Sequence, residues 1–403
     1  MKTVYVGMSG GVDSSVAALL LKEQGYKVIG VYMKNWSKDL PGMKCPWAED
    51  LADAKRVAVK LGIPFEVWDF EKEYYEKVVE YMLTEFKKGN TPNPDVMCNQ
   101  EIKFKLFYEK AMAAGADFIA TGHYARVGEK NKPGVPFGHA PGRSGQVLTS
   151  RRTHQAYFSP TLMRAVDENK DQTYFLYRIS EEALAHTLFP VGGMLKLEVK
   201  KLAEKHGLHN AYKKESMGVC FVGEVGMKDF LKEYIDVEPG EIREIESEKV
   251  LGYHEGAIFY TIGQRHGLYL SGVAGEVNDG MPYYVVKKDV KKNIVYVSKN
   301  LNHEAIWTRE LKLVDVFMRT KSWQARPACP PDTLRAALAK LRSAEHPRRA
   351  HRLLVRLRHR APLISATFDG ETLRFENEIK RPASGQSAVI YDGEICLGGG
   401  IIA

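Results

Sequence analysis

The chain has 403 residues, 44% hydrophobic and 27% charged, a globular composition that excludes disordered and collagen-like classes and predicts two or three domains. It contains no run of about 18 apolar residues, its N-terminus enters a strand-like run without a secretory leader, and its five cysteines are too few for a disulfide scaffold. A soluble, cytoplasmic protein with no membrane association is therefore expected.

The first 125 residues alternate strand and helix. Thr3 to Gly7, Lys27 to Met33, Phe65 to Phe70 and Asp117 to Thr121 read as strands. Ser14 to Glu23, Glu49 to Leu61, Glu71 to Phe86 and Asn99 to Ala114 read as helices. This alternation predicts an α/β, doubly wound parallel sheet. Val127 to Leu162 is rich in Gly, Pro, Ser and Lys and reads as a long loop. Helices follow from Ser180 and over Leu195 to His206. Beyond Gly240 the pattern changes to short strands: Ala257 to Thr261, Tyr283 to Lys287, Ile294 to Val297, Leu311 to Met318, Arg352 to Arg358, Leu363 to Phe368 and Ser387 to Tyr391. Two small β-rich domains behind an α/β domain are expected.

The net charge is +8, but residues 321–360 carry 11 Lys and Arg against Asp332 and Glu345, a balance of +9 that leaves the rest near −1. Such a patch suits a polyanion such as nucleic acid, or simply a solvated arginine-rich face.

The first strand runs into Met8-Ser9-Gly10-Gly11-Val12-Asp13-Ser14-Ser15 and then a helix. Paired glycines allow positive φ and turn successive amides toward one point, making an anion nest, and the helix adds its positive end. Asp13 beside phosphate implies Mg2+ arriving with a nucleotide. The Walker pattern is absent. SGGVDS resembles the loop of the N-type ATP pyrophosphatases (the PP-loop superfamily), which split ATP to AMP and pyrophosphate. Two cysteines stand out: Cys98, where prolines stiffen a loop leading into a helix, and Cys220, downstream of Lys213 and Lys214. A helix N-terminus or a nearby cation favours thiolate, although either residue also suits a small buried hydrophobe.

SGGVDS, TPNPDVMCN, ATGHYAR, KDQTYFL, SMGVCFVG, YTIGQRHGL and GEICLGGGII occur in order along the chain. Together they closely resemble the bacterial tRNA-specific 2-thiouridylase family. The resemblance implies a PP-loop ATP pyrophosphatase domain with a helical tRNA-binding extension over 1–212, a central β-rich domain over 213–300 and a C-terminal β-barrel over 301–403. It also implies ATP-dependent thiolation of C2 of the wobble uridine of tRNA. ATP adenylates the uracil oxygen, and sulfur arrives as a persulfide on the residue matching Cys220, fed by a cysteine desulfurase or a sulfur-relay carrier protein. The residue matching Cys98 acts as nucleophile, releasing hydrosulfide, or receives the disulfide as sulfur transfers. Asp95 matches an acid/base residue.

By the same resemblance, Gly7, Met8, Ser9, Gly10, Gly11, Val12, Asp13, Ser14, Met33 and Gly122 match ATP contacts. Asn93, Pro94 and Asp95 match the pocket for the target base. His123, Lys170, Asp171, Gln172, Arg358, His359 and Gln386 match tRNA contacts. Cys45, Cys329 and Cys396 fit no motif and read as structural, and the absence of any C-x-x-C argues against a zinc ribbon or an iron–sulfur thiolase. The sequence departs from the family in a long 132–165 loop, in the basic 326–351 insertion with a helical pattern over Asp332 to Arg342, and in His359 where a Tyr is usual. Two other readings remain. One is a PP-loop tRNA ligase without sulfur transfer, amidating or lysidine-type. The other is a non-catalytic RNA-binding protein with a vestigial nucleotide loop.

Overall fold

The computed structural model describes residues 1–39, 45–129, 160–214, 226–270, 281–319 and 352–403. The chain divides into two compact units, one of 1–78, 95–225 and 394–396, the other of 79–94, 226–393 and 397–403.

The first unit holds β1 (Thr3–Gly7), β2 (Lys27–Lys34), β3 (Phe65–Asp69), β4 (Phe118–Thr121), β5 (Arg126–Glu129), β6 (Pro160–Met163) and β7 (Thr187–Leu188). Five of these form a wholly parallel sheet in the order β3-β2-β1-β4-β7. Alternation along β1 sends Val4 and Val6 to one face, where they pack with α1 (Val12–Glu23), α2 (Trp47–Leu61) and the Lys196–Lys205 helix through Val16, Val57, Val199 and Ala203. Tyr5 points the other way, 5.6 Å from the Trp68 ring, which lies 5.5 Å from Phe107. The sheet is therefore covered on both sides, which explains the unbroken burial of Val28 to Tyr32 in β2. Strand order reverses between β1 and β4, and the crevice beyond their carboxyl ends is where such sheets bind ligands.

The second unit carries a four-stranded sheet of β8 (Gly240–Glu244), β9 (Val250–His254), β10 (Tyr284–Asp289) and β11 (Ile294–Ser298), ordered β10-β11-β8-β9. Its core is Ile242, Leu251, Val285, Val295 and Val297. Six further strands are β12 (Trp307–Met318), β13 (Leu353–Arg356), β14 (Ile364–Phe368), β15 (Thr372–Lys380), β16 (Ser387–Asp392) and β17 (Ile395–Ile402). They run β12-β15-β14-β13-β16-β17 and close into a barrel through β12–β17 pairing. Leu313, Val355, Leu373, Ala388 and Ile390 fill it.

Two expectations need correction. Ala257 to Thr261 is not a strand: Ala257–Phe259 forms a 3₁₀ turn, because the Ala257 amide is taken by Asn293 Oδ1 at 3.0 Å instead of a ladder carbonyl. The two ends of the expected Val127 to Leu162 loop are not loop but pair antiparallel as β5 and β6, and residues 130–159 between them lie outside the described residues. The Asp332 to Arg342 helical pattern lies outside the described residues.

Candidate functional site

Met8 prolongs the β1–β2 ladder, its amide donating to Val31 O at 2.8 Å, and the chain then turns at Gly10 with φ +77°. Only glycine suits that turn, since a Cβ there would stand 2.4 Å from Asp50 O. Gly11 caps α1 without a side chain, so the first amides of α1 lie outside the helix's own ladder. Serines stiffen the loop: Ser9 N donates to Ser14 Oγ at 3.2 Å, and Ser14 and Ser15 hydroxyls donate to Gly11 O at 3.1 and 2.9 Å. Buried Asn210 supports it from behind, donating to Gly10 O at 2.8 Å and Ser15 Oγ at 2.9 Å.

The other residues matched to ATP gather here too. A Cβ on Gly7 would lie 2.8 Å from Met33 Cε, and one on Gly122, just beyond β4, 2.5 Å from Ser14 N. The β4 exit thus packs against the first turn of α1, at the switch point of the sheet. This geometry suits a polyphosphate.

Asp13 differs from its expectation. Both its carboxylate oxygens are taken by Lys196 Nζ, at 2.6 and 2.8 Å, and the Tyr124 hydroxyl donates to Oδ1 at 3.0 Å. The charge of this carboxylate is offset by a lysine of the protein itself, and no group of three metal-ligating side chains occurs among the described residues.

A second cluster surrounds the thiol. The turn Pro94–Met97 leads into a π-helical segment, Cys98–Leu106, and then the helix Phe107–Ala113. Cys98 is buried, one turn into this helical run. Asn99 pins the run to the chain after Gln172, its Nδ2 donating to Phe175 O at 3.2 Å. Burial raises the Asp95 carboxyl above the ordinary carboxylate range, with the Lys103 cation opposing the shift. The same cation and, more strongly, burial push His123 well below the ordinary imidazole value. His123 is neutral, with Nδ1 2.8 Å from Thr121 Oγ1 and its ring 5.8 Å from Phe104 and 6.4 Å from Phe189. A carboxyl whose burial favours its protonated form, one turn before a thiol on the same run, suits acid/base work.

Comparison with known proteins agrees with these features. A tRNA methyl transferase HUP domain model matches residues 2–224, a tRNA methyl transferase PRC-barrel domain model 228–299, and an aminomethyltransferase beta-barrel domain model 332–402. The tRNA-specific 2-thiouridylase MnmA of Listeria monocytogenes serotype 4a (strain HCC23) is 44% identical over 400 residues, 99% of this chain and 94% of that one. The tRNA-specific 2-thiouridylase MnmA 2 of Geobacillus kaustophilus (strain HTA426) is 42% identical over 404 residues, 99% of this chain and 94% of that one. The chain belongs to the tRNA-specific 2-thiouridylase family.

Within this 2-thiouridylase, Lys170, Asp171 and Gln172 belong to the first unit and Arg358, His359 and Gln386 to the second. Gln172 and Tyr124 exchange two hydrogen bonds, Gln172 Oε1 accepting from Tyr124 N and Tyr124 O accepting from Gln172 N, each at 2.9 Å. Lys170 is half-buried beside them. Asp171 does not suit direct contact with tRNA. It is 1% exposed, and its carboxylate accepts from the Thr173 hydroxyl at 2.9 and 3.0 Å and from Ala165 N at 3.2 Å. In the second unit, Gln386 Nε2 donates to Thr91 O at 2.7 Å, bracing the segment that leads into Asn93 and Pro94. Arg358 is exposed and His359 half-buried, whereas neighbouring Arg356 is buried, 5.7 Å from the Tyr391 ring, so it is not part of an exposed patch.

Lys213 also departs from its reading as a cation for Cys220. Its Nζ is held by Asp50 Oδ1 at 2.7 Å and Asp53 Oδ2 at 2.6 Å in α2, which offsets its charge. Cys220, Cys329 and most of the basic 321–360 stretch lie outside the described residues; Cys45 and Cys396 are buried. Sequence reading missed Lys103, Tyr124, Lys196 and Asn210. Tyr124 alone carried a signal, since it lies inside the ATGHYAR motif.

Proposed function

We propose that this protein catalyses ATP-dependent thiolation of C2 of the wobble uridine (position 34) of tRNA, giving 2-thiouridine, AMP and pyrophosphate. The observation that carries the reading is full-length similarity to proteins named tRNA-specific 2-thiouridylase. The anion cradle supports it over methyl transfer, because a sulfonium methyl donor brings no phosphate for such a loop to bind.

Uracil O2 attacks the α-phosphorus of ATP and pyrophosphate leaves, making the oxygen a good leaving group. The terminal sulfur of a Cys220 persulfide then forms the bond to C2 while AMP departs with the oxygen. The Cys98 thiolate attacks Cys220 Sγ, and the persulfide S–S bond breaks with its electron pair going to the outer sulfur, which stays on C2 as the 2-thiouridine sulfur. An external thiol reduces the resulting Cys98–Cys220 disulfide. Asp95 serves as acid/base at the uracil, with Asn93 and Pro94 beside it. The loop from Gly7 to Ser14, with Met33 and Gly122, holds the nucleotide. His123, Lys170, Gln172, Arg358, His359 and Gln386 contribute to the tRNA surface, and Asp171 shapes the turn that carries Lys170. A cysteine desulfurase or relay carrier supplies sulfur, and the protein works in the cytoplasm. The domain division is 1–212, 213–300 and 301–403; the end of the second family model at 299 supports the second boundary, whereas the first model runs on to 224.

The test is nucleoside mass spectrometry of unmodified tRNA incubated with the protein, Mg-ATP and a desulfurase with cysteine, with pyrophosphate followed in parallel. Sulfur for oxygen at the wobble uridine, lost in Cys98→Ser and Cys220→Ser, supports the relay. Pyrophosphate release with an unthiolated product in both variants and wild type points instead to a ligase without sulfur.

A further inference from the structure

We propose that Lys196 belongs to the nucleotide site as a positioning residue: it cancels the charge of Asp13 and so makes the loop after β1 attractive to a polyphosphate. The inference rests on the nucleotide reading above.

Asp13 lies in the first turn of α1, immediately before Ser14, so its carboxylate stands at the helix end whose amides line the cradle. Uncancelled, it would repel phosphate in a partly desolvated crevice. The cancelling ammonium comes from 183 residues along the chain, contacts both carboxylate oxygens at 2.6 and 2.8 Å, and belongs to a residue only 8% exposed. An ammonium is kept so deep only when it is paired.

The pair has a defined setting. The Lys196 amide donates to Asp167 Oδ2 at 2.9 Å, fixing the start of the Lys196–Lys205 helix. Tyr124, two residues beyond the Gly122 that abuts Ser14, donates to the same Asp13 oxygen. The β1 exit, the β4 exit and the Lys196 helix therefore meet on one carboxylate at the switch point. Apolar side chains could hold three elements together as well as an ion pair does. Charges placed at an anion cradle additionally set its potential.

The test measures binding of Mg-ATP, inorganic pyrophosphate and adenosine by calorimetry to wild type, Lys196→Met, Lys196→Arg and the double variant Asp13→Asn/Lys196→Met. Lys196→Met is expected to weaken ATP and pyrophosphate by about tenfold or more, with adenosine within about twofold. Lys196→Arg retains most of the affinity. The double variant, which has no uncancelled carboxylate, binds ATP and pyrophosphate more tightly than Lys196→Met does, recovering part of the loss. It also carries the test if the single variant folds poorly. Unchanged ATP affinity in Lys196→Met, an equal loss for adenosine, or no recovery in the double variant overturns the proposal. Wild type that binds neither ATP nor pyrophosphate overturns the nucleotide reading itself.

Discussion

Gly122 and Ser14, 108 positions apart in sequence, meet so closely that a methyl group on the first would stand 2.5 Å from the peptide nitrogen of the second. The obstacle is backbone, so no rotamer relieves it. Gly122→Ala should cost about 1–3 kcal/mol of stability by overpacking. It should also weaken ATP binding about tenfold or more by displacing the amides of the α1 end. Thermal melting and calorimetry check both, and an alanine variant with unchanged ATP affinity would detach this contact from nucleotide binding.

Asp95 provides a pH signature. Burial holds its carboxyl above the ordinary range, so ionisation opposes folding above the ordinary aspartate pKa, and the penalty is absent below it, where folded and unfolded states are both protonated. Asp95→Asn should therefore raise the denaturant midpoint near neutral pH and leave it unchanged in strong acid. The same substitution should reduce thiolation by about a hundredfold or more while sparing ATP binding. A variant that turns over normally would remove Asp95 from the chemistry.

Asp53 behaves in the opposite sense. Burial pushes its carboxyl up, but hydrogen bonds from Lys213 and His209 outweigh burial and hold it below the ordinary range. The resulting stabilisation is present above the ordinary aspartate pKa and disappears as pH falls through the lowered value. Lys213→Met leaves Asp53 short of a partner, at a cost of about 1–3 kcal/mol near neutral pH. Urea titrations should show the gap between wild type and variant closing in acid.

The two arginines at the end of β13 should separate cleanly. Arg356→Glu places an anion among buried barrel groups and should lower stability by about 3–5 kcal/mol. Exposed Arg358→Glu should shift stability by no more than about 0.5 kcal/mol. If Arg358 faces tRNA, its reversal weakens tRNA binding and flattens the salt dependence. Equal tRNA affinity in that variant would take it out of the interface.

Much of the first unit was legible because its signals are local. The strand spacing, the Gly-Gly turn and the helix that follows depend on neighbouring residues, and a buried parallel strand such as β2 reads as a continuous apolar run. Ala257 to Thr261 misled for a related reason: its apolar residues do reach the core, but a distant Asn293 takes the amide that a ladder would need. Arg356 is buried although it falls within the basic 321–360 stretch, because a side chain's direction on a barrel strand is set by closure and pairing with β16.

The sequence by itself determined the family, the doubly wound class and the presence of an anion-binding turn, since each is written in contiguous motifs or short-range periodicity. Only the tertiary structure decided that Lys196 faces Asp13, that Asn210 supports Gly10, that Lys213 is tied to Asp50 and Asp53, and that Asp95 lies where burial raises its carboxyl. Ion pairing and desolvation depend on distances between groups far apart along the chain, and no local pattern encodes those distances before the sheet brings the segments together.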